Sequence, residues 1–152
     1  MEIEIDDLSR PQVHALLAAH LEAMHAGSPA ESVHALPLDS LRGPDITVWT
    51  AWEDGTLLGI GALKELDHAH GEVKSMRTAD AARGRGVATA LLGEILRASR
   101  ERGYARVSLE TGRDEPFWPA HRLYERHGFV NCPPFADYGP DPLSRFMTRE
   151  VR

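Results

Sequence analysis

The order strand, glycine-rich turn, helix across residues 71–102 limits this chain more than any other feature. An extended stretch from Gly71 to Thr78 is followed by Arg83-Gly84-Arg85-Gly86-Val87-Ala88, and apolar residues then recur at Val87, Leu91, Leu92, Ile95 and Leu96. That spacing lines one face of a helix over about Gly84 to Arg102, with Gly103 just past its end. Glycines at 84 and 86 lack the Cβ atoms that would keep an anion from the backbone, so amides at the helix start can point outward. The helix dipole adds partial positive charge at the same place, and Arg83 and Arg85 add full charge with fork-shaped donors. Such a turn is a cradle for a pyrophosphate; the alternative is a plain glycine-rich helix start. No Gly-Lys-Ser/Thr ending is present, which excludes a P-loop, and Gly84-x-Gly86-x-x-Thr89 lacks the third glycine of a dinucleotide fingerprint.

The elements around this unit follow from periodicity. Ile3 and Ile5 alternate with acids as a short strand, and Val13, Leu16, Leu17, Leu21 and Met24 recur as one face of a helix with Ser9 as its N-cap, stopped by Gly27 and Pro29. Residues 28–45 read as a loop holding one brief helix near Asp39 to Arg42. Ile46 to Glu53 and Thr56 to Leu66 flank Asp54-Gly55, a two-residue hairpin signal, and Gly71 to Thr78 completes a three-stranded meander. Ala105 to Thr111 reads as a strand, Pro119 to His127 as a helix ended by Gly128, and Ser144 to Val151 as a last strand after a proline-rich irregular excursion. The strands at 71–78 and 105–111 are joined through a helix and are expected to lie parallel. The whole is an α/β (α+β) chain with a mixed, mostly antiparallel sheet of about six to seven strands flanked by about four helices.

At 152 residues, length predicts one domain spanning 1–152, and a hydrophobic share of 42% with 26% charged residues predicts a soluble protein rather than a membrane-bound one. A formal charge of −6 argues against a nucleic-acid partner, because phosphate contacts need a surplus of Lys and Arg. The N-terminus lacks the basic flank and apolar stretch of a secretory signal, which points to a cytoplasmic setting. Cys132 has no Cys or His neighbour at metal spacing and reads as a small half-buried residue; the eight histidines show no paired ligand motif, so no metal is expected. Trp49, Trp52 and Trp118 read as packing residues.

Arg83, Gly86 and Ala88 fit the pattern Arg/Gln-x-x-Gly-x-Gly/Ala, and Ala120-x-x-Leu123-Tyr124 followed by Gly128-Phe129 stands downstream. In these motifs and in the order of its elements, the chain resembles the GCN5-related N-acetyltransferase (GNAT) superfamily over residues 71–130. Its tail from Pro134 to Pro142 is similar to that of a bacterial subgroup of uncharacterised acetyltransferases. The resemblance implies acetyl-CoA as donor and co-substrate, and as acceptor a small-molecule amine or a peptide N-terminus; it leaves a homodimer open. It would place the pantetheine arm beside Met76, Arg77 and Thr78, through main-chain groups of Met76 and Thr78, and the pyrophosphate over Arg83, Gly84, Arg85, Gly86, Val87, Ala88 and Thr89. It would set Tyr124 near the thioester sulfur as general acid and Glu110 where similar enzymes carry a base. Phe117 stands where many members carry an Asn that contacts the cofactor, and Asp80 where a Pro is usual.

The chemistry needs a held thioester, a neutral attacking nitrogen and a proton for the departing thiolate. Holding both reactants together is worth about 7–11 kcal/mol in ideal cases, and a carboxylate must take the proton of an amine that arrives charged. Glu110 is the first candidate base, with Glu72, His68 and His70 in reserve; each carboxylate reads alternatively as a solvated strand residue, and Tyr124 as a core tyrosine. For the acceptor pocket, residues 24–36 with His25 and His34, and the loop Phe135 to Tyr138, are the candidates, with Asp137 to hold a cationic amine and Arg42 or Arg145 an acid group. The alternative function is a catalytically inactive acyl-CoA-binding or protein-interaction module on the same fold, for which Phe117 is the support.

Overall fold

The computed structural model describes residues 1–27 and 37–152. Seven strands form one sheet: β1 (Glu2–Ile5), β2 (Ile46–Glu53), β3 (Thr56–Asp67), β4 (His70–Thr78), β5 (Arg106–Gly112), β6 (Val130–Asn131) and β7 (Ser144–Glu150). Their spatial order is β1-β2-β3-β4-β5-β7-β6, and every neighbouring pair is antiparallel except β4 with β5. The hairpin between β2 and β3 turns on Asp54 and Gly55, both at positive φ, as an Asp-Gly pair favours. Three α-helices, α1 (Pro11–Gly27), α2 (Val87–Glu101) and α3 (Trp118–Arg126), are joined by short 3-10 turns at Leu38–Arg42, Asp80–Ala82 and Glu115–Phe117.

Alternation along the strands feeds two apolar cores. Trp49, Ala51, Leu58, Leu63 and Val73 pack with α2 and α3, whereas Val48, Trp52, Ile60 and Ala62 pack with Val13 and Leu17 of α1 and with Leu41. Helix α2 sits so close to the sheet that a Cβ on Gly61 would lie 2.6 Å from Met76 Sδ and 3.1 Å from Ile95 Cδ1. Helix α1 is fixed to β2 through Asp6, whose buried carboxylate accepts from Leu8 N–H (2.7 Å), Thr50 Oγ1 (2.8 Å) and Arg10 (2.7 Å). The junction holds α1 across the central strands β3 and β4.

Several local expectations change. Ser9 does not cap α1: its hydroxyl donates to Asp7 at 2.6 Å, and the first helical carbonyl belongs to Arg10. Helix α2 begins at Val87 rather than Gly84, since Gly84 and Gly86 both take positive φ, which a right-handed helix excludes. The excursion after Gly128 contains the two-residue strand β6 on the outer edge of β7. Trp118 is 50% exposed, with its indole N–H on Arg113 O, so it lies outside the two cores that hold Trp49 and Trp52.

Candidate active site

The parallel pair β4–β5 is hydrogen-bonded only where His70, Gly71 and Glu72 face Arg106, Val107 and Ser108. Beyond that point the strands diverge, because β4 runs on to Thr78 alongside β3 while β5 runs on to Gly112 alongside β7. A bulge marks the parting. Ile60 pairs with Arg77 and Ala62 with Lys74, so Gly61 faces both Ser75 and Met76, and Ser75 adopts φ 55. A serine in that left-handed region costs on the order of 1 kcal/mol and tends to persist where the local geometry is used. Past the bulge, Ala79 N–H donates to Leu58 O at 2.8 Å. Strand alternation then turns the N–H groups of Met76 and Thr78 the other way, into the gap beside β5.

Strand β4 leads through the 3-10 turn Asp80–Ala82 into the glycine turn. Gly84 (φ 76) and Gly86 (φ 79) have nothing within 4 Å of where a Cβ would stand, and Arg83 through Gly86 are exposed. Arg83 N–H donates to Asp80 O at 3.4 Å, whereas the N–H groups of the first turn of α2 have no partner within the helix. Val87 turns its side chain into the core, Ala88 is half-buried and Thr89 exposed. Both arginines are held by light surface pairs, Arg83 with Asp80 (2.9 Å) and Arg85 with Glu53 (2.6 Å). Exposed pairs of this kind are worth about 0–1 kcal/mol, so an arriving phosphate can displace them.

The gap opens into a cleft of about 580 Å³ lined by residues of α1, β4, β5, α3 and the segment before β7. Glu110 lies two residues past the last β5 position paired with β4, and its Oε2 accepts from Ser144 Oγ at 2.7 Å. Tyr124 of α3 is 6% exposed and packs edge-on against Phe129. Burial, and then the negative charge of Glu110, push its phenol well above the usual tyrosine range, so it stays protonated at neutral pH. Glu72 is 3% exposed; its Oε2 accepts from Tyr138 OH at 2.5 Å and Lys74 Nζ at 3.2 Å, while Lys74 also donates to Tyr138 at 2.8 Å. Burial and the Glu72 charge raise the Tyr138 phenol strongly. Phe135, Tyr138 and Phe146 stack edge to face, which seats the proline-rich loop on the sheet as one wall of the cleft. Phe117 lies across Gly112, where a Cβ would meet its ring at 2.3 Å.

Of the expected site residues, Met76, Arg77, Arg83, Phe117, Tyr124 and Glu110 line the cleft, and Glu72 and Tyr138 join them; Thr78 and the segment from Gly84 to Thr89 are outside its lining. Others do not. His68 lies exposed in the β3–β4 turn, and His70 Nε2 is engaged with Ser108 Oγ at 2.7 Å at the far end of β4, so neither reserve base lines the cleft. Arg42 binds Asp39 and Leu8 O, and Arg145 binds Asn131, with Glu125 at 3.7 Å; neither reaches the cleft. His34, with residues 28–36, lies outside the described residues. Sequence reasoning missed His20, which is 8% exposed and lines the cleft. Its signal was present: Val13, Leu17, His20 and Met24 fall on one helical stripe, so His20 is a polar residue at an inward position. Among the described residues no group of three His, Cys, Asp or Glu is placed to hold a metal, and no helix is long and apolar enough to cross a membrane.

The Acetyltransferase (GNAT) family model matches residues 13–129. Over 151 residues the chain is 54% identical to the Uncharacterized N-acetyltransferase YsnE of Bacillus subtilis (strain 168), covering 99% of this chain and 100% of that one. It is 51% identical over 146 residues to the Uncharacterized N-acetyltransferase YedL of Escherichia coli (strain K12), covering 96% and 92%. A Klebsiella pneumoniae crystal structure, provisionally named an acyl-CoA N-acyltransferase, superposes with a TM-score of 0.80 at 27% identity over 99% of this chain and 97% of the other. The coenzyme A complex of an aminoglycoside 6'-N-acetyltransferase shares the fold, with a TM-score of 0.73 at 13% identity over 100% and 98% of the two chains. With its GNAT match over most of its length and two N-acetyltransferase relatives at half identity, the chain belongs to the GNAT family of acetyltransferases.

Proposed function

We propose that the chain is an acetyl-CoA-dependent N-acetyltransferase that acts by direct attack in a ternary complex, on a small-molecule amine or a peptide N-terminus. The observation that carries this reading is the free edge of β4 beside β5, running from the bulge at Ser75 to the glycine turn. The pyrophosphate of acetyl-CoA lies over the amides from Arg83 to Thr89, and the pantetheine arm pairs with the outward N–H groups of Met76 and Thr78 as an added strand would. The thioester is then set between β4 and β5, next to Glu110 and Tyr124.

The amine nitrogen attacks the thioester carbon, the carbon–sulfur bond breaks, and the nitrogen's proton passes to Glu110 directly or through a water. Glu110 suits the role better than Glu72, whose Oε2 already takes both Tyr138 and Lys74. The leaving thiolate is met by the Tyr124 hydroxyl, which burial keeps protonated at neutral pH so that it can donate to the sulfur. No covalent enzyme intermediate is needed. The Phe117 ring over Gly112 cannot offer the hydrogen bond of an amide and is a feature that favours a non-catalytic acyl-CoA-binding module instead.

One assay separates the two readings. Protein, acetyl-CoA and a panel of amines with a thiol-detecting dye should release CoA, and Tyr124→Phe and Glu110→Gln should slow that release while acetyl-CoA still raises the melting temperature. A thermal shift with acetyl-CoA and no turnover across the panel would favour the module. A shift with NAD and none with CoA would reject both.

A further inference from the structure

Among the described residues, three buried polar atoms in the wall of this cleft have no hydrogen-bond partner: Nδ1 of His20, Oγ of Ser75 and Nε of Arg77. Native folds leave few such atoms, and three together in the lining of one cleft call for an explanation. They come from two elements that the fold brings together on purpose-built supports. His20 sits on α1, which the Asp6 junction fixes, and Ser75 is held in its left-handed conformation by the β4 bulge. Arg77 pairs with Ile60, a residue of the α1-side core, so its side chain leaves the strand on the α1 face.

The charge of this corner is one-sided. Among the described residues the acid paired with Arg77 is Asp80, 3.8 Å from Nη2 with a side chain 79% exposed. Burial and the Arg77 charge hold His20 neutral, down to about 4. Lys74, the other cation on this face, is already matched by Glu72 and Tyr138. The corner thus offers an N–H, an O–H and an imidazole nitrogen around an incompletely balanced cation, a set that fits a two-oxygen anion and repels an ammonium. The same cleft is also lined by Glu110 of β5, which carries a carboxylate.

We propose that the acetyl acceptor is an amine that also carries a carboxylate, held by Arg77 Nε–H, Ser75 Oγ–H and, in its Nδ1–H tautomer, His20 Nδ1–H, with its amine turned toward Glu110. The three residues line the cleft while these atoms are closed from bulk water, so a turn of the Arg77 and His20 side chains brings them onto the ligand. The proposal rests on the acetyl-transfer reading above, and it assigns Arg77 a binding role through its side chain rather than through the cofactor strand.

The test compares CoA release from the common L-amino acids, β-alanine and 4-aminobutyrate with release from their carboxamides. Accepted carboxylates should exceed their carboxamides in kcat/KM by about tenfold or more, as expected when buried donors lose their partner. Arg77→Gln should bring that ratio close to one, with Arg77→Lys and Ser75→Ala between. A variant that is merely unstable lowers both acceptors and leaves the ratio intact. Equal use of carboxamides by the natural chain overturns the proposal and leaves acetyl transfer standing. An unchanged ratio in Arg77→Gln with a raised KM for acetyl-CoA also overturns it, because Arg77 would then serve the cofactor. Should no member of the panel release CoA, the ¹⁵N-detected Arg77 Nε–H signal decides, recorded with CoA bound and each panel compound at millimolar concentration. A downfield move with the carboxylates and not the carboxamides supports the subsite, and a still signal overturns it.

Discussion

The two halves of the cleft are built by different means. The half proposed to take the acetyl donor is made of backbone: the edge of β4 beyond its pairing with β5, the bulge, and the turn at Gly84 and Gly86, all within one continuous segment. The acceptor half is made of side chains from distant elements, with Tyr138 joined to Glu72 across 66 residues of sequence and His20 of α1 set beside Arg77 of β4. A backbone site tolerates many side chains and binds one invariant ligand, whereas a side-chain site can be re-specified one residue at a time. The same division tells where damage will register: donor changes in cofactor affinity, acceptor changes in turnover and in the acid range.

The sharpest test of that division is Glu110→Gln. Removing a general base costs about 10²–10⁴-fold in rate, and the amide keeps the shape and the Ser144 contact. Turnover should fall by that order while the KM for acetyl-CoA holds; a loss of cofactor affinity would show that the halves are not separable. Next in size is His20, neutral at about 4 in the folded chain against 6.5 unfolded. Above pH 6.5 neither state binds the proton, so full stability is present. Below it the unfolded chain takes up the proton first, and stability declines until about pH 4 by on the order of 3 kcal/mol. Urea unfolding at pH 7 and pH 4.5 should show a steeper loss in the natural chain than in His20→Leu, and equal slopes would remove His20 from the account.

Sequence made the donor half legible for a physical reason. Glycine spacing, strand alternation and the Asp-Gly hairpin are local rules, and the structure places the parallel β4–β5 pair, the turn and α2 in the expected order. The bulge and the acceptor half obey no local rule. Nothing in Lys74-Ser75-Met76 announces the bulge opposite Gly61, where a Cβ would meet Met76 Sδ and Ile95 Cδ1. Two residues of β6 are too few to carry a period. Arg42 and Arg145 were plausible acid-binding groups by charge alone, yet each is occupied by a partner near in space that composition does not reveal. His20 was hidden in plain view by its position on an apolar stripe.

Tyr138→Phe probes how the side-chain half is held. The substitution removes a hydrogen bond to a buried carboxylate and leaves Glu72 with Lys74 alone. Bonds to charged groups contribute about 1.5–3 kcal/mol, so stability should drop by about 2 kcal/mol, with protease cleavage between Cys132 and Leu143 rising in step. Unchanged stability would mean that the Phe135 and Phe146 contacts alone seat this loop.

The smallest effect, and the most selective, belongs to Gly86→Val. Open space surrounds the missing Cβ, so the substitution crowds nothing; its whole cost is a β-branched residue at φ 79, about 1–2 kcal/mol. The chain can relieve that strain by turning the peptide plane, which swings an amide of the cradle away from the pyrophosphate. Acetyl-CoA KM should therefore rise about tenfold, while kcat at saturation and the acceptor KM hold, because no side chain of the acceptor half has moved. A fall in melting temperature without a change in acetyl-CoA KM would show that the turn is a helix start and nothing more, and the contrast between a backbone-built and a side-chain-built half would lose its first member.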